Sequence, residues 1–180
     1  MMELSFFLQM CLGFFAILGY LRGFYKEFVA FSGLMMGLFV LTEFDWALDL
    51  LLSGSEANTR FTLEALLLMG LAFFCYEYAP TTFVPRAYRK GKNVILPSES
   101  GWQRGFLGAV VGGFNGYLLV GSLWYLMDQY EYPLSNLFMQ PAIGSRSAEF
   151  VGNLPLVWLQ DNNLLLWIVM GLFLLIAIFR

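Results

Sequence analysis

Apolar residues run almost unbroken through five stretches of the chain, and most of the charged residues gather between them. The stretches cover residues 5–21, 23–42, 61–78, 105–127 and 164–179. Each reaches or approaches the ~17–25 residues that a helix needs to cross a bilayer, given tilt and flanking anchors. The pattern predicts an all-α integral membrane protein with about five transmembrane helices. Two further stretches are neither span nor simple loop. Residues 43–52 place Glu43, Asp45 and Asp49 to share one helical face and apolar residues on the rest, which predicts a short interfacial helix or re-entrant piece. The connection 128–163 holds Pro133, Pro141 and Pro155 among aromatics and leucines, and is expected to lie along the outer interface.

Composition strengthens this picture. Hydrophobic residues make up 59% of the 180 and charged residues only 13%, with a mean hydropathy of +0.67. A soluble domain usually carries about 25% charged residues. Lipid in place of water as solvent accounts for the difference. The beginning Met1-Met2-Glu3 lacks the basic region of a signal peptide, and Gly19-Tyr20-Leu21 is a poor cleavage site. Histidine is absent. That removes the usual ligand or proton carrier of haem, of His-type zinc sites and of His-based acid–base catalysis. Cys11 and Cys75 lie inside apolar stretches and read as small packing residues. No phosphate loop, nucleophile elbow, metal-ligand spacing or nucleic-acid motif is found. The expectation is a protein without catalytic site, metal or cofactor.

Charge sets the expected threading. Arg22 and Lys26 separate the first two spans, and Arg86, Arg89, Lys90, Lys92 and Arg104 separate the third and fourth. The other connections are acidic, offset only by Arg60 and Arg146. The positive-inside rule then puts the N-terminus outside and the C-terminus in the cytoplasm.

A six-residue pattern occurs twice: Gly19-Tyr20-Leu21-Arg22-Gly23-Phe24 and Gly101-Trp102-Gln103-Arg104-Gly105-Phe106. Each copy opens a long apolar stretch on the inner side. Two hairpins of the same orientation, 5–42 and 61–127, fit a parallel duplication; convergence on a good interfacial anchor explains the repeat equally well. Arg22 and Arg104, beside Tyr20 and Trp102, read as snorkelling anchors or as clamps on an anionic lipid headgroup or an acidic partner. A cation at a helix N-terminus opposes the macrodipole, so an offset is required from lipid phosphate or from Glu27, Glu77 or Glu99. Lys26, Arg86, Arg89 and Lys90 extend the basic inner surface. Gly105, Gly108, Gly112 and Gly116 on the fourth span, with Gly33 and Gly37 on the second, have the spacing that lets helix backbones approach. These two spans are expected to pack on each other or on a partner. Asn115 is expected to bond to a neighbouring helix, and Glu64 to pair with Arg60 while staying near water.

The first motif through Lys26-Glu27, with Gly33 and Gly37, resembles the first hairpin of the CvpA family, the colicin V production proteins. Gln103-Arg104-Gly105-Phe106-Leu107-Gly108 resembles that family's last helix, and the run from Pro133 through Pro141 to Leu154-Pro155 its tail. The likeness covers about residues 3–155. Gln103 stands where the family often has aspartate, and the fifth span is extra to the usual four. The division implied is a membrane domain over 1–155, with 128–155 as an outer interfacial segment, and an additional C-terminal helix over 156–180. The resemblance implies a bacterial inner-membrane protein of toxin production or export and envelope homeostasis, with no established reaction. It would be a non-enzymatic scaffold or assembly factor whose partners are anionic lipid headgroups and other membrane subunits or copies of itself. An accessory subunit of a respiratory or photosynthetic complex, holding lipid, quinone or pigment without histidine, is the alternative. A small homo-oligomeric channel or transporter is the second.

Overall fold

The computed structural model describes residues 4–52, 54, 56–77, 89–90, 93–94, 101–134 and 138–179. Arg86, Lys92 and Glu99 lie outside the described residues. The helices are α1 (Leu4–Arg22), α2 (Phe24–Glu43), α3 (Asp45–Leu51), α4 (Ala57–Glu77), α5 (Gly101–Gln129), α6 (Arg146–Phe150), α7 (Pro155–Gln160) and α8 (Leu164–Phe179). A two-residue antiparallel ladder in the basic loop pairs Arg89 with Val94 and Lys90 with Asn93. Among the described residues the protein is all-α apart from that ladder.

Among the described residues, α1, α2, α4 and α5 are long and apolar enough to cross a membrane. At 1.5 Å per residue the 16 residues of α8 extend only about 24 Å, short of a hydrocarbon core of about 30 Å. Residues 146–160 and 164–175 pass the same test only together, across a 54° bend, which makes four spans or five.

Helix α1 lies antiparallel on α5. Tyr20 covers Gly105, Gly19 meets Gly108 and Gly112, and Phe15 covers Gly116. A methyl group on Gly19 would fall on the Gly108 carbonyl oxygen, so the two backbones touch. Without a hydrophobic driving force between helices in lipid, close backbone packing of this kind is a principal source of attraction. The glycine rows thus have other partners than the expected pairing of the second and fourth spans. The α5 row faces α1, while Gly33 and Gly37 of α2 face Cys75 and Leu71 of α4. Helix α2 is served by larger side chains where it meets α5, as at Phe31 and Phe114, whose ring centroids lie 6.0 Å apart.

The segment after α5 departs from the expected course along the outer interface. Leu154, Leu156 and Leu159 are fully or almost fully buried. Leu156 and Leu159 join Met35, Leu38, Leu68, Leu118 and Leu165 in one core cluster. Pro155 opens α7 at a position where its missing N–H costs nothing. Its ring occupies the notch at Gly121, where a Cβ would lie 2.5 Å from the proline Cδ. Gly121 is eight residues before Gln129, so α7 begins about 12 Å below the end of α5. The Tyr117 hydroxyl donates to the Asn153 carbonyl and accepts from Trp158 Nε1 at 3.2 Å. The first of these bonds satisfies a carbonyl of irregular backbone that lipid alone would leave unpaired.

Candidate functional site

Gly23 breaks the chain between α1 and α2 at φ +82°, a conformation that side-chain-bearing residues seldom adopt. Arg22 therefore closes α1, and Glu27 falls in the first turn of α2. A cation at a helix C-terminus and an anion at an N-terminus are both favoured by the macrodipoles. The conflict expected for Arg22 is thereby removed.

The turn brings the two charges together. Arg22 Nη1 donates to Glu27 Oε1 at 3.0 Å. Its Nη2 donates to the carbonyl oxygen of Tyr76 in the last turn of α4, and the guanidinium carbon lies 4.4 Å from the Tyr76 ring centroid. Tyr76 donates its hydroxyl to Glu27 Oε2 at 3.1 Å. Asn115 Nδ2, from the middle of α5, donates to Glu27 Oε2 and to the Glu27 carbonyl, each at 3.0 Å. Glu27 and Asn115 are fully buried. Because both contacts of the Asn115 amide nitrogen are acceptors, the orientation of that side chain follows from the network. Its Oδ1 is buried and has no hydrogen-bond partner among the described residues.

Four helices are tied at this centre: α1 by Arg22, α2 by Glu27, α4 by Tyr76 and α5 by Asn115. Each hydrogen bond of the centre runs to the Glu27 carboxylate or to a backbone carbonyl, the kind of pairing a buried ion pair needs to be tolerated. Glu27 appeared in the sequence only as one of three possible offsets for arginine. Tyr76 carried no signal, since a tyrosine near the end of an apolar stretch reads as an interfacial anchor.

The two arginine motifs meet at the same end. The Arg104 side chain crosses Gly23, with Nε 2.7 Å from where a Cβ would stand. Tyr20 covers Gly105, and Trp102 stacks on Phe106 with ring centroids 5.4 Å apart. The copies differ in shape: the first spans the break between α1 and α2, whereas the second is continuous helix. Arg22 is turned inward. Arg104, Lys26, Tyr20 and Trp102 are exposed. Arg104 and Lys26 form no ion pair among the described residues, so both are open to another molecule.

A second polar cluster lies at the opposite end. Arg60 bonds to Asp45 and Asp49 of α3 and to Glu64 Oε1 at 3.1 Å. Tyr130 donates to Glu64 Oε1 at 2.7 Å. Burial first, then Glu64, pushes the Tyr130 phenol above its ordinary value near 10, so it stays a donor. Burial likewise pushes the Tyr132 phenol up to about 12. Glu64 was expected near water; its side chain is only 6% exposed, because α5 and Tyr130 cover it. Helix α3 carries Trp46, Leu50 and Leu51 exposed on its outer face, as suits an interfacial helix. Between the two clusters lie Met35, Leu38, Leu68 and Leu118, all buried and apolar. No group of three or more acidic or cysteine side chains among the described residues is placed to hold a metal ion.

The family described as Colicin V production protein matches residues 4–154. Neither a curated protein nor a solved structure matches the chain.

Proposed function

The chain belongs to the colicin V production protein family, and on that premise we propose that it is an inner-membrane scaffold serving assembly or export in toxin production. As a family member it is a non-enzymatic multi-pass membrane protein. The observation that carries the reading is the Arg22–Glu27–Tyr76–Asn115 centre. It locks α1, α2, α4 and α5 into one body at the end where Arg104 and Lys26 are presented outward. A rigid helical body with outward cations and no reacting centre suits the holding of anionic lipid headgroups and neighbouring subunits.

The threading proposed has this end in the cytoplasm, with the N-terminus outside and the C-terminus inside. With Lys26→Cys and Glu43→Cys in a Cys11→Ala/Cys75→Ala background, a membrane-impermeant thiol reagent added to intact spheroplasts should label position 43 and spare position 26. The reverse pattern overturns the orientation. The scaffold role itself is tested by native mass spectrometry of gently solubilised membranes. Other membrane subunits, or further copies of the chain, should travel with it; a lone chain with none attached overturns the role.

Helices α7 and α8 lie beyond the family match. Trp167, Met170, Phe173, Leu174 and Ile178 of α8 face outward, while Leu165 and Val169 are buried. This exposed face suits α8 as a docking helix, and it is the observation that favours the second reading, an accessory subunit of a large membrane complex. A channel is the weaker reading, because the apolar layer of Met35, Leu38, Leu68 and Leu118 separates the polar ends.

A further inference from the structure

An open groove runs between α2 and α5, lined by Phe24, Phe28, Phe31, Val110, Val111 and Phe114, with a volume of about 280 Å³. Every lining side chain is apolar. Along α2 the rings of Phe24, Phe28 and Phe31 follow one another at 5.8 and 6.0 Å between centroids. The contact of Phe31 with Phe114 closes the deep end. Phe24 to Phe31 is seven residues, so the groove is about 10 Å long.

The mouth is charged. Arg104 lies seven residues before Val111 and so shares its face of α5. Its side chain crosses Gly23, the residue before Phe24. Arg22, at the same end, is already committed to Glu27 and to the Tyr76 carbonyl.

We propose that this groove is a specific site for an anionic phospholipid, with the phosphate on Arg104 and the first part of one acyl chain along the phenylalanine row. This rests on the reading above that the cations of this end meet anionic headgroups, and deepens it by naming the residue and the chain site. Two magnitudes decide the occupant. A helix is about 10–12 Å across with its side chains, too thick for a groove of this volume. A ligand with polar groups along its length would leave them unpaired against six apolar side chains. A hydrocarbon chain with a negative head meets both conditions.

The test uses the full-length protein, delipidated in detergent, then mixed with equal amounts of phosphatidylglycerol and phosphatidylcholine and read by native mass spectrometry. The wild type should retain phosphatidylglycerol preferentially. Arg104→Gln should lower that preference about fivefold, the effect of one cation near an anionic surface. Val110→Trp, at a position 56% exposed, fills the groove and should lower retention of both lipids with Arg104 still present. Arg146→Gln, an exposed cation on α6 whose neighbour Ser147 bonds to Ser5 at the far end of α1, should change neither. A phosphatidylglycerol with a photoreactive group midway along its chain should crosslink to Phe28 or Phe114. This arm decides the matter if Val110→Trp proves unstable.

If the wild type shows no preference for phosphatidylglycerol, the reading of headgroup binding falls and the inference with it. If the preference is present but is lost in Lys26→Gln and kept in Arg104→Gln, headgroup binding stands and the inference alone is overturned. Crosslinks spread evenly over the lipid-facing surface overturn it as well.

Discussion

Replacing Glu27 by alanine is expected to lower the melting temperature of the detergent-solubilised protein by roughly 10 °C, following from about 3–5 kcal/mol for a buried pair that loses one partner. The carboxylate is fully buried and accepts from Arg22, Tyr76 and Asn115 at once. Its removal strands a guanidinium that is only 20% exposed, together with a phenol and an amide. The comparison that isolates the charge is the double variant Arg22→Met/Glu27→Leu. It leaves no buried ion and should recover at least half of the loss, because two apolar groups of similar volume avoid the desolvation penalty. A melting temperature for Glu27→Ala within 2 °C of the wild type would show that the centre does not hold the four helices together.

The second large effect is expected at Gly112. A Cβ there would stand 2.5 Å from the Phe15 carbonyl oxygen and 2.8 Å from the Gly19 Cα. Both are backbone atoms of α1 and cannot rotate aside. Ordinary overpacking of a core costs about 1–3 kcal/mol. Gly112→Leu must instead push one helix axis off another, and should abolish the monodisperse species in size-exclusion chromatography. Two controls separate this from a general intolerance of side chains. Gly113→Ala meets its nearest atom at 3.5 Å, and Gly13→Ala meets nothing within 4 Å. Each should keep the fold, with alanine's better helix propensity opposing any loss. A folded, monodisperse Gly112→Leu protein would refute the backbone contact between α1 and α5.

Some of this was readable along the chain, and the division follows from range. The Arg60–Glu64 pair is four residues apart on one helix and was legible. The partner of Asn115 was legible only in kind, as a group on another helix, because nothing local names a residue 88 positions away. The same limit explains the glycine rows. Spacing identifies a face that admits close approach, but not which helix fills it, and here α1 takes the place expected for α2. The descent of α7 was hidden because prolines and small polar residues in a long connection look alike whether they lie on the interface or enter the body. Gly121 alone, mid-helix, gives no hint that a proline ring sits in its notch.

The sequence by itself determined that this is a bundle of apolar helices, where most of them begin and end, and that both arginine motifs belong to one end. In lipid each helix must satisfy its own backbone hydrogen bonds, so local composition suffices to define it. Only the tertiary structure decided which faces meet, that Arg22 turns inward to a buried Glu27 while Arg104 stays outside, and that α7 enters the core. Those outcomes depend on contacts between residues far apart in the chain, whose free energies exist only once the helices are side by side.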